Sequence, residues 1–174
     1  MADNSFTAYF NGISFAAGKA MAGILNSHAT EVISIYRVGL LNAQTAAVTG
    51  VLCQLELRWY PATMTYTGGT AITPTSHDST NTAPSNYTVA HNGTPGGSTG
   101  QVIRRIFWSS DEAAISSATS DELETYVPLN IILDAGYGDV NVQPFKLRQA
   151  QGMIVYNTTG AAGLLDTWME FTRT

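Results

Sequence analysis

Charge is scarce in this sequence: Asp, Glu, Lys and Arg make up 12% of its 174 residues, against roughly 25% in an average soluble chain. Its surface is therefore uncharged and polar, or covered by neighbours. Basic residues are the scarcest. Eight Lys and Arg stand against thirteen Asp and Glu, for a net charge of -5 and a pI near 4.9, which leaves no cationic footprint for a phosphate backbone and argues against nucleic-acid binding. Cysteine is reduced to Cys53, which excludes a disulfide scaffold and a Cys-rich zinc site. No apolar run reaches 18 residues. The most apolar part of the N-terminal region, residues 6–25, follows Asp3 and is broken by Asn11, Ser14 and Lys19, so neither a transmembrane helix nor a signal peptide is expected.

Helix signals are equally sparse. Residues 14–26 are Ala-rich, but Gly18 and Gly23 each weaken a helix there by about 1 kcal/mol relative to Ala, and a strand or an irregular arm fits as well. Strand signals dominate the remainder. Val32, Ile33, Ile35, Tyr36, Val38, Leu40 and Leu41 form a β-branched and aromatic run. In the next run Val51, Cys53, Leu55, Leu57 and Trp59 alternate with Leu52, Gln54, Glu56, Arg58 and Tyr60 before Pro61. Period two over ten residues predicts a half-buried strand with Cys53 on its inward face, where a lone thiol acts as a small hydrophobe.

Residues 62–100 differ in kind: 27 of these 39 are Thr, Ser, Asn, Gly or Pro, with Asp78 the only formal charge. They form a long Thr/Gly/Ser-rich loop or a set of short edge strands. A loop of that length inside a compact domain needs something packed on it, and Tyr66, Ile72, Tyr87 and Val89 are the candidate anchors and loop-interface residues. Strands resume at 102–108, 123–133, 143–148, 151–157 and 163–172, with a possible helical turn within 109–124. Eight to ten short strands with polar connections predict an all-β fold, an antiparallel β-sandwich of jelly-roll type. Residues 1–30 are expected to be an N-terminal arm or the first strands, and 31–174 a single sandwich domain.

Chemical motifs are weak. Gly12 and Gly18-Lys19 miss the phosphate-loop spacing by one residue, and Ala20 stands where a hydroxyl must meet magnesium. His28, His77 and His91 lack zinc-site spacing; His77 with Asp78 reads as a turn. G-x-S-x-G is absent. Asp111-Glu112 and Asp121-Glu122-Glu124 read as solvated faces or caps before a glycosidase pair. Asp134 and Asp139 around Gly136-Tyr137-Gly138 read as a tight turn before a calcium loop. No catalytic residue, metal or cofactor is therefore expected. Aromatic residues remain: Tyr9, Phe10, Phe15, Trp59, Tyr60, Phe107, Trp108, Tyr137 and Trp168 include candidate sugar-stacking rings or interface anchors, and most of them, by alternation, are expected to be core. Phe6, Tyr9, Phe10 and Phe15, in a Gly-interrupted segment, are read as a docking segment, with a first core strand the even alternative.

Four runs carry a resemblance: NAQTAAVTGVLCQLELRW (42–59), TPTSHDST (73–80), RRIFWSSDE (104–112) and NIILDAGYGDVNVQPFKLRQAQGMIVYNTTGAAGLLDTWMEFT (130–172). Together they resemble structural proteins of tailed bacteriophages, over about two thirds of the chain. Phage capsid decoration or cement proteins are often β-rich, lightly charged, cysteine-poor and trimeric. The resemblance thus implies a virion protein made in the host cytoplasm and placed on the capsid surface. Its implied partners are the major capsid protein and further copies of itself, with no nucleic acid or membrane. It transfers no functional residues. A receptor-binding or fibre-tip domain that recognises host-surface glycans is the alternative expectation, tested by changing rings such as Tyr66 or Tyr87.

Overall fold

The computed structural model describes residues 4–43, 51–82, 85–110, 129–136, 143–159 and 163–174. They form an all-β structure: β1 (Asn4–Ser14), β2 (Ala20–Asn26), β3 (Ile33–Asn42), β4 (Val51–Tyr60), β5 (Met64–Thr67), β6 (Thr70–Ala71), β7 (Thr75–Ser76), β8 (Tyr87–His91), β9 (Thr94–Gly97), β10 (Gln101–Ser110), β11 (Leu129–Asp134), β12 (Phe145–Leu147), β13 (Gly152–Asn157) and β14 (Leu164–Arg173). One sheet runs β11-β3-β14-β1-β7, with β12 also on β3; the second runs β10-β4-β13-β2-β8-β6; β5 and β9 form a separate pair. Every pairing is antiparallel, and the two main sheets stay open, as expected of a sandwich.

The long strands pair in nested order. β1 pairs β14, β2 pairs β13, β3 pairs β11 and β4 pairs β10, so the chain doubles back on itself and each successive pair lies in the opposite sheet. The core fills the space between the sheets. Phe6, Phe10, Val38, Leu40, Met169 and Phe171 from the first sheet meet Met21, Ile24, Leu55, Leu57, Met153 and Val155 from the second. Phe6 and Phe171 stack with ring centroids 5.4 Å apart.

The N-terminal segment is therefore core. Phe6 and Phe10 are fully buried because β1 lies between β14 and β7 and alternates these two rings inward, and Phe15, just past β1, is nearly so. A docking role for Phe6, Phe10 and Phe15 is overturned, and of the two options for residues 1–30 the first strands form over the described part, as β1 and β2. The helical option over 14–26 also falls. β2 is buried along its whole length, since it faces the core on one side and a third layer on the other.

That third layer comes from the expected loop. Residues 64–97 contain β5 to β9, and β5–β9 lies over the outer face of the second sheet. There Met64 and Tyr66 close a smaller cluster with Ala20, Leu25, Tyr60 and Ile154. Glycine permits the approach. A Cβ on Gly93 would sit 2.0 Å from the Tyr66 ring, and one on Gly23 would sit 2.8 Å from it. The Tyr66 hydroxyl donates to the Ala90 carbonyl at 2.9 Å. β4 follows its predicted alternation, with Cys53, Leu55 and Leu57 inward. The strand expected over 123–133 is described from Leu129 onward; residues 111–128, which hold most of the possible helical turn, lie outside the described residues.

Two substitutions separate these layers. Phe10→Ala empties a fully buried site and is expected to cost about 3–5 kcal/mol in urea unfolding. A loss below about 1 kcal/mol would return the N-terminal strand to the surface. Tyr66→Ala is expected to raise amide exchange at 64–67 and 94–97 well before the remaining strands open.

Candidate functional site

The four loop candidates converge on the protein itself. Val89 is buried in the main core and Ile72 packs against it, with the Ile72 N–H donating to the Val89 carbonyl at 2.9 Å. The Tyr87 hydroxyl donates to Glu31 at 2.5 Å, and burial together with that carboxylate pushes its pKa up. Burial likewise pushes the Tyr66 phenol up to about 12. Both hydroxyls are committed, so neither ring stands free in a loop to read a ligand. Tyr9 is the one proposed docking residue that stays on the surface, 47% exposed. Its hydroxyl donates to Asp166, which with burial raises its pKa to about 12. The other Asp166 oxygen accepts the Gly12 N–H at 2.6 Å.

Asp78, His77, His28 and Asp134 have hydrogen-bond partners, whereas the buried Nδ1 of His91 has none and burial lowers the pKa of that ring. Asp78 accepts the Thr80 N–H at 2.9 Å and the Thr80 hydroxyl at 2.8 Å, the turn expected of it. His77 meets the Thr7 hydroxyl at 2.7 Å, and His28 accepts the Glu31 N–H at 3.0 Å. Asp134 accepts the Gly136 N–H at 3.0 Å; Tyr137, Gly138, Asp139 and the acidic residues 111–124 lie outside the described residues. Burial pushes the Cys53 thiol up to about 12, which keeps it inert. Among the described residues no group of three or more His, Cys, Asp or Glu side chains is arranged to hold a metal ion.

The densest electrostatic feature sits on the outer face of the second sheet, where β5–β9 does not reach. The polar side of β4 carries Gln54, Glu56 and Arg58 here, two residues apart and so on one face, while Tyr60, next on that face, lies beneath β5–β9. Pairing with β10 sets Arg105 opposite Glu56 and Phe107 opposite Gln54; pairing with β13 sets Tyr156 opposite Glu56. Glu56 is only 3% exposed. Arg58 donates to its Oε2 from Nε at 2.7 Å and from Nη2 at 2.6 Å. Arg105 donates to its Oε1 at 3.0 and 2.8 Å, and Gln54 adds a bond at 3.2 Å. The Arg58 guanidinium lies 3.8 Å from the Tyr156 ring centroid, a cation–π contact. Burial alone would raise the Glu56 pKa, but the bonds and charges of Arg58 and Arg105 prevail and hold it below the ordinary carboxylate range.

This cluster is a positioned charge network. Its only carboxylate is fully paired, so it offers no free base. What it exposes is Arg105 together with Phe107, which at 67% is the most exposed large apolar side chain among the described residues. The pair lies on β10, which has one strand neighbour among the described residues. The alternation from Val51 to Tyr60 set Glu56 and Arg58 on the strand's other face without singling them out. Their i, i+2 spacing was visible; Arg105 joins them through a pairing 49 residues away in sequence.

A second concavity, a shallow cleft of about 480 Å³, lies beside Trp59 and Phe145 and includes Lys146, Arg148 and Gln151. Gln151 is spent on the Pro61 carbonyl and the Arg148 N–H, and no carboxylate lines the cleft. No family model, curated protein or solved structure matches this chain.

The Glu56 cluster has a measurable pH signature. Its folded-state pKa is lowered, so its contribution to stability is present above the unfolded carboxylate pKa and declines as pH falls through the folded one. Glu56→Gln is expected to cost about 1–3 kcal/mol near neutral pH and to flatten the acid limb of the stability curve. An acid limb unchanged in the variant would assign that limb to other carboxylates.

Proposed function

We propose that this chain is a non-enzymatic structural protein of a virus particle, a jelly-roll sandwich that decorates and stabilises the exterior of a capsid. Its partners on this reading are shell subunits and further copies of itself, as a trimer. The nested order β1/β14, β2/β13, β3/β11, β4/β10 supports the jelly-roll part, since rolling up one long antiparallel ribbon produces that alternation between sheets. The virion part rests on the four runs that resemble phage structural proteins.

The binding part is carried by one observation: Phe107 stands exposed beside Arg105 on the long strand β10, which among the described residues borders its sheet. Arg58 and Arg105, two of the eight basic residues, lie on the same face of β4 and β10 as Phe107 in a chain of net charge -5, while Arg104 pairs opposite Leu57 and belongs to the other face. Set against Glu56, Arg58 and Arg105 leave a local excess of positive charge around an apolar ring. An acidic shell surface complements it, with the ring as anchor and the arginines as rim. This surface takes the place of the N-terminal docking segment, whose phenylalanines are core.

The reading has two tests. Quantitative mass spectrometry of purified particles is expected to find this chain in copies comparable to the main shell protein; its absence from particles would discard the virion reading. In co-sedimentation with undecorated shells, Phe107→Ser combined with Arg105→Glu is expected to lower occupancy at least about tenfold, roughly 1.4 kcal/mol. Thermal unfolding of the Phe107→Ser single variant serves as the fold control. Full occupancy by a folded double variant would remove β10 from the interface.

A further inference from the structure

The outer face of the first sheet carries an arrangement that shell binding does not use. Pairing places Tyr9 of β1 opposite Trp168 of β14, Trp168 opposite Gly39 of β3, and Gly39 opposite Ile131 of β11. These four positions form one row straight across four strands. Gly39 is what makes the row flat. A Cβ there would lie 2.1 Å from Cζ2 and 2.4 Å from Cη2 of Trp168, so the indole lies against the Gly39 backbone. Tyr9 and Ile131, 47% and 41% exposed, stand at either side of it. The Tyr9 ring is held in place by its hydroxyl bond to Asp166, itself fixed by the Gly12 N–H. Among the described residues no layer covers this face; β5–β9 lies on the other sheet.

The next row is polar. Thr7, Glu170, Arg37 and Asp134 face one another across the same four strands. Arg37 spans the two acids, donating to Glu170 at 3.5 Å and to Asp134 at 3.2 Å. Its Nε is buried without a hydrogen-bond partner. Asp134 remains half-exposed. Rows two residues apart along a strand are separated by about 7 Å, a spacing that lets one pyranose ring lie on the indole while its hydroxyls reach the Arg37 row.

We infer that this face is a carbohydrate-binding site for neutral pyranosides, with Trp168 as the stacking floor, Tyr9 and Ile131 as walls, and Arg37, Glu170 and Asp134 as hydroxyl partners. Three features favour a sugar over a protein surface. The part-buried indole sits low against the Gly39 backbone between the more exposed Tyr9 and Ile131, whereas a protein anchor protrudes into a pocket. Its polar neighbours combine fixed acceptors with a fixed guanidinium, the pairing that hydroxyl groups, donors and acceptors at once, can satisfy together. The row is already rigid before a ligand arrives, which limits the entropy lost on binding. Selectivity follows from charge. Asp134, Asp166 and Glu170 outnumber Arg37, so the site disfavours sialylated, sulfated or phosphorylated sugars.

The inference is independent of capsid binding and uses the opposite face. The full-length protein would be screened on a printed panel of neutral gluco-, galacto- and N-acetylglucosamine-containing oligosaccharides beside sialylated and sulfated ones. Hits would then be titrated by tryptophan fluorescence. Neutral glycans are expected to bind and anionic ones to fail, with affinity falling about tenfold or more in Trp168→Ala. Because Trp168 also covers Gly39, Ile131→Glu serves as a second variant: it alters an exposed wall, is expected to keep the melting temperature, and should weaken the same hits. Thr99→Ala, remote from this sheet, should leave them unchanged. Absence of neutral-glycan binding would overturn the site, as would binding that survives both Trp168→Ala and Ile131→Glu. A change of oligomeric state in Trp168→Ala without any glycan binding would assign the row to a contact between copies of the chain.

Discussion

The whole structure depends on the pairing of its first and last strands. β1 and β14 are bonded to each other inside the first sheet, with Phe6 opposite Phe171 and Phe10 opposite Thr167. Their inward rings form one side of the core, so neither sheet can bury its apolar face until the two ends of the chain meet. The inner pairs β2/β13, β3/β11 and β4/β10 share the same requirement over progressively shorter separations. Such a topology loads the folding barrier with loop-closure entropy and predicts slow folding for the size of the chain. It also makes the N-terminal segment indispensable to the fold despite its glycines.

Layering then distributes the surfaces. The second sheet is covered on part of its outer face by β5–β9, and this explains why β2, with its small residues and Gly23, is buried on both sides. Where that cover stops, Glu56 is sealed by two arginines, a tyrosine face and Gln54. A carboxylate so deeply buried is tolerated because its bonds and charges offset desolvation. The same arginines leave β10 with a cationic and aromatic border, and charged side chains on a long edge strand also oppose unwanted strand addition. The first sheet has no such cover among the described residues, and its outer face keeps an ordered aromatic row beside a charged one.

Much of the fold was legible in the residues. Alternation from Val51 to Tyr60 correctly turned Cys53, Leu55 and Leu57 inward, and the short β-branched runs toward the C-terminus became β12, β13 and β14. The misreading of the N-terminal segment has a physical cause. Phe6, Phe10 and Phe15 looked like anchors for a partner because their segment is broken by glycines. Yet Phe6 and Phe10 alternate inward along one strand, and the partner their burial required was the far end of the same chain. Tyr66, Ile72, Tyr87 and Val89 do anchor their segment, though onto the chain's own strands; its polar composition left loop and edge strands both open because Thr and Ser side chains fill the exposed positions of short strands as readily as those of loops.

By itself the sequence determined the all-β class, the low-charge surface, the inward face of the strongest strand and the absence of a recognisable nucleophile, phosphate-loop or zinc motif. These are properties of composition and of the two-residue side-chain period, both of which are local. Tertiary structure alone decided which strands are neighbours, and with that every candidate surface. Arg105 reaches Glu56, and Trp168 reaches Gly39, only through hydrogen-bonded registers that join segments 49 and 129 residues apart. Such registers are selected by the simultaneous burial of both sheets' apolar faces, a condition that no single segment carries in its own residues.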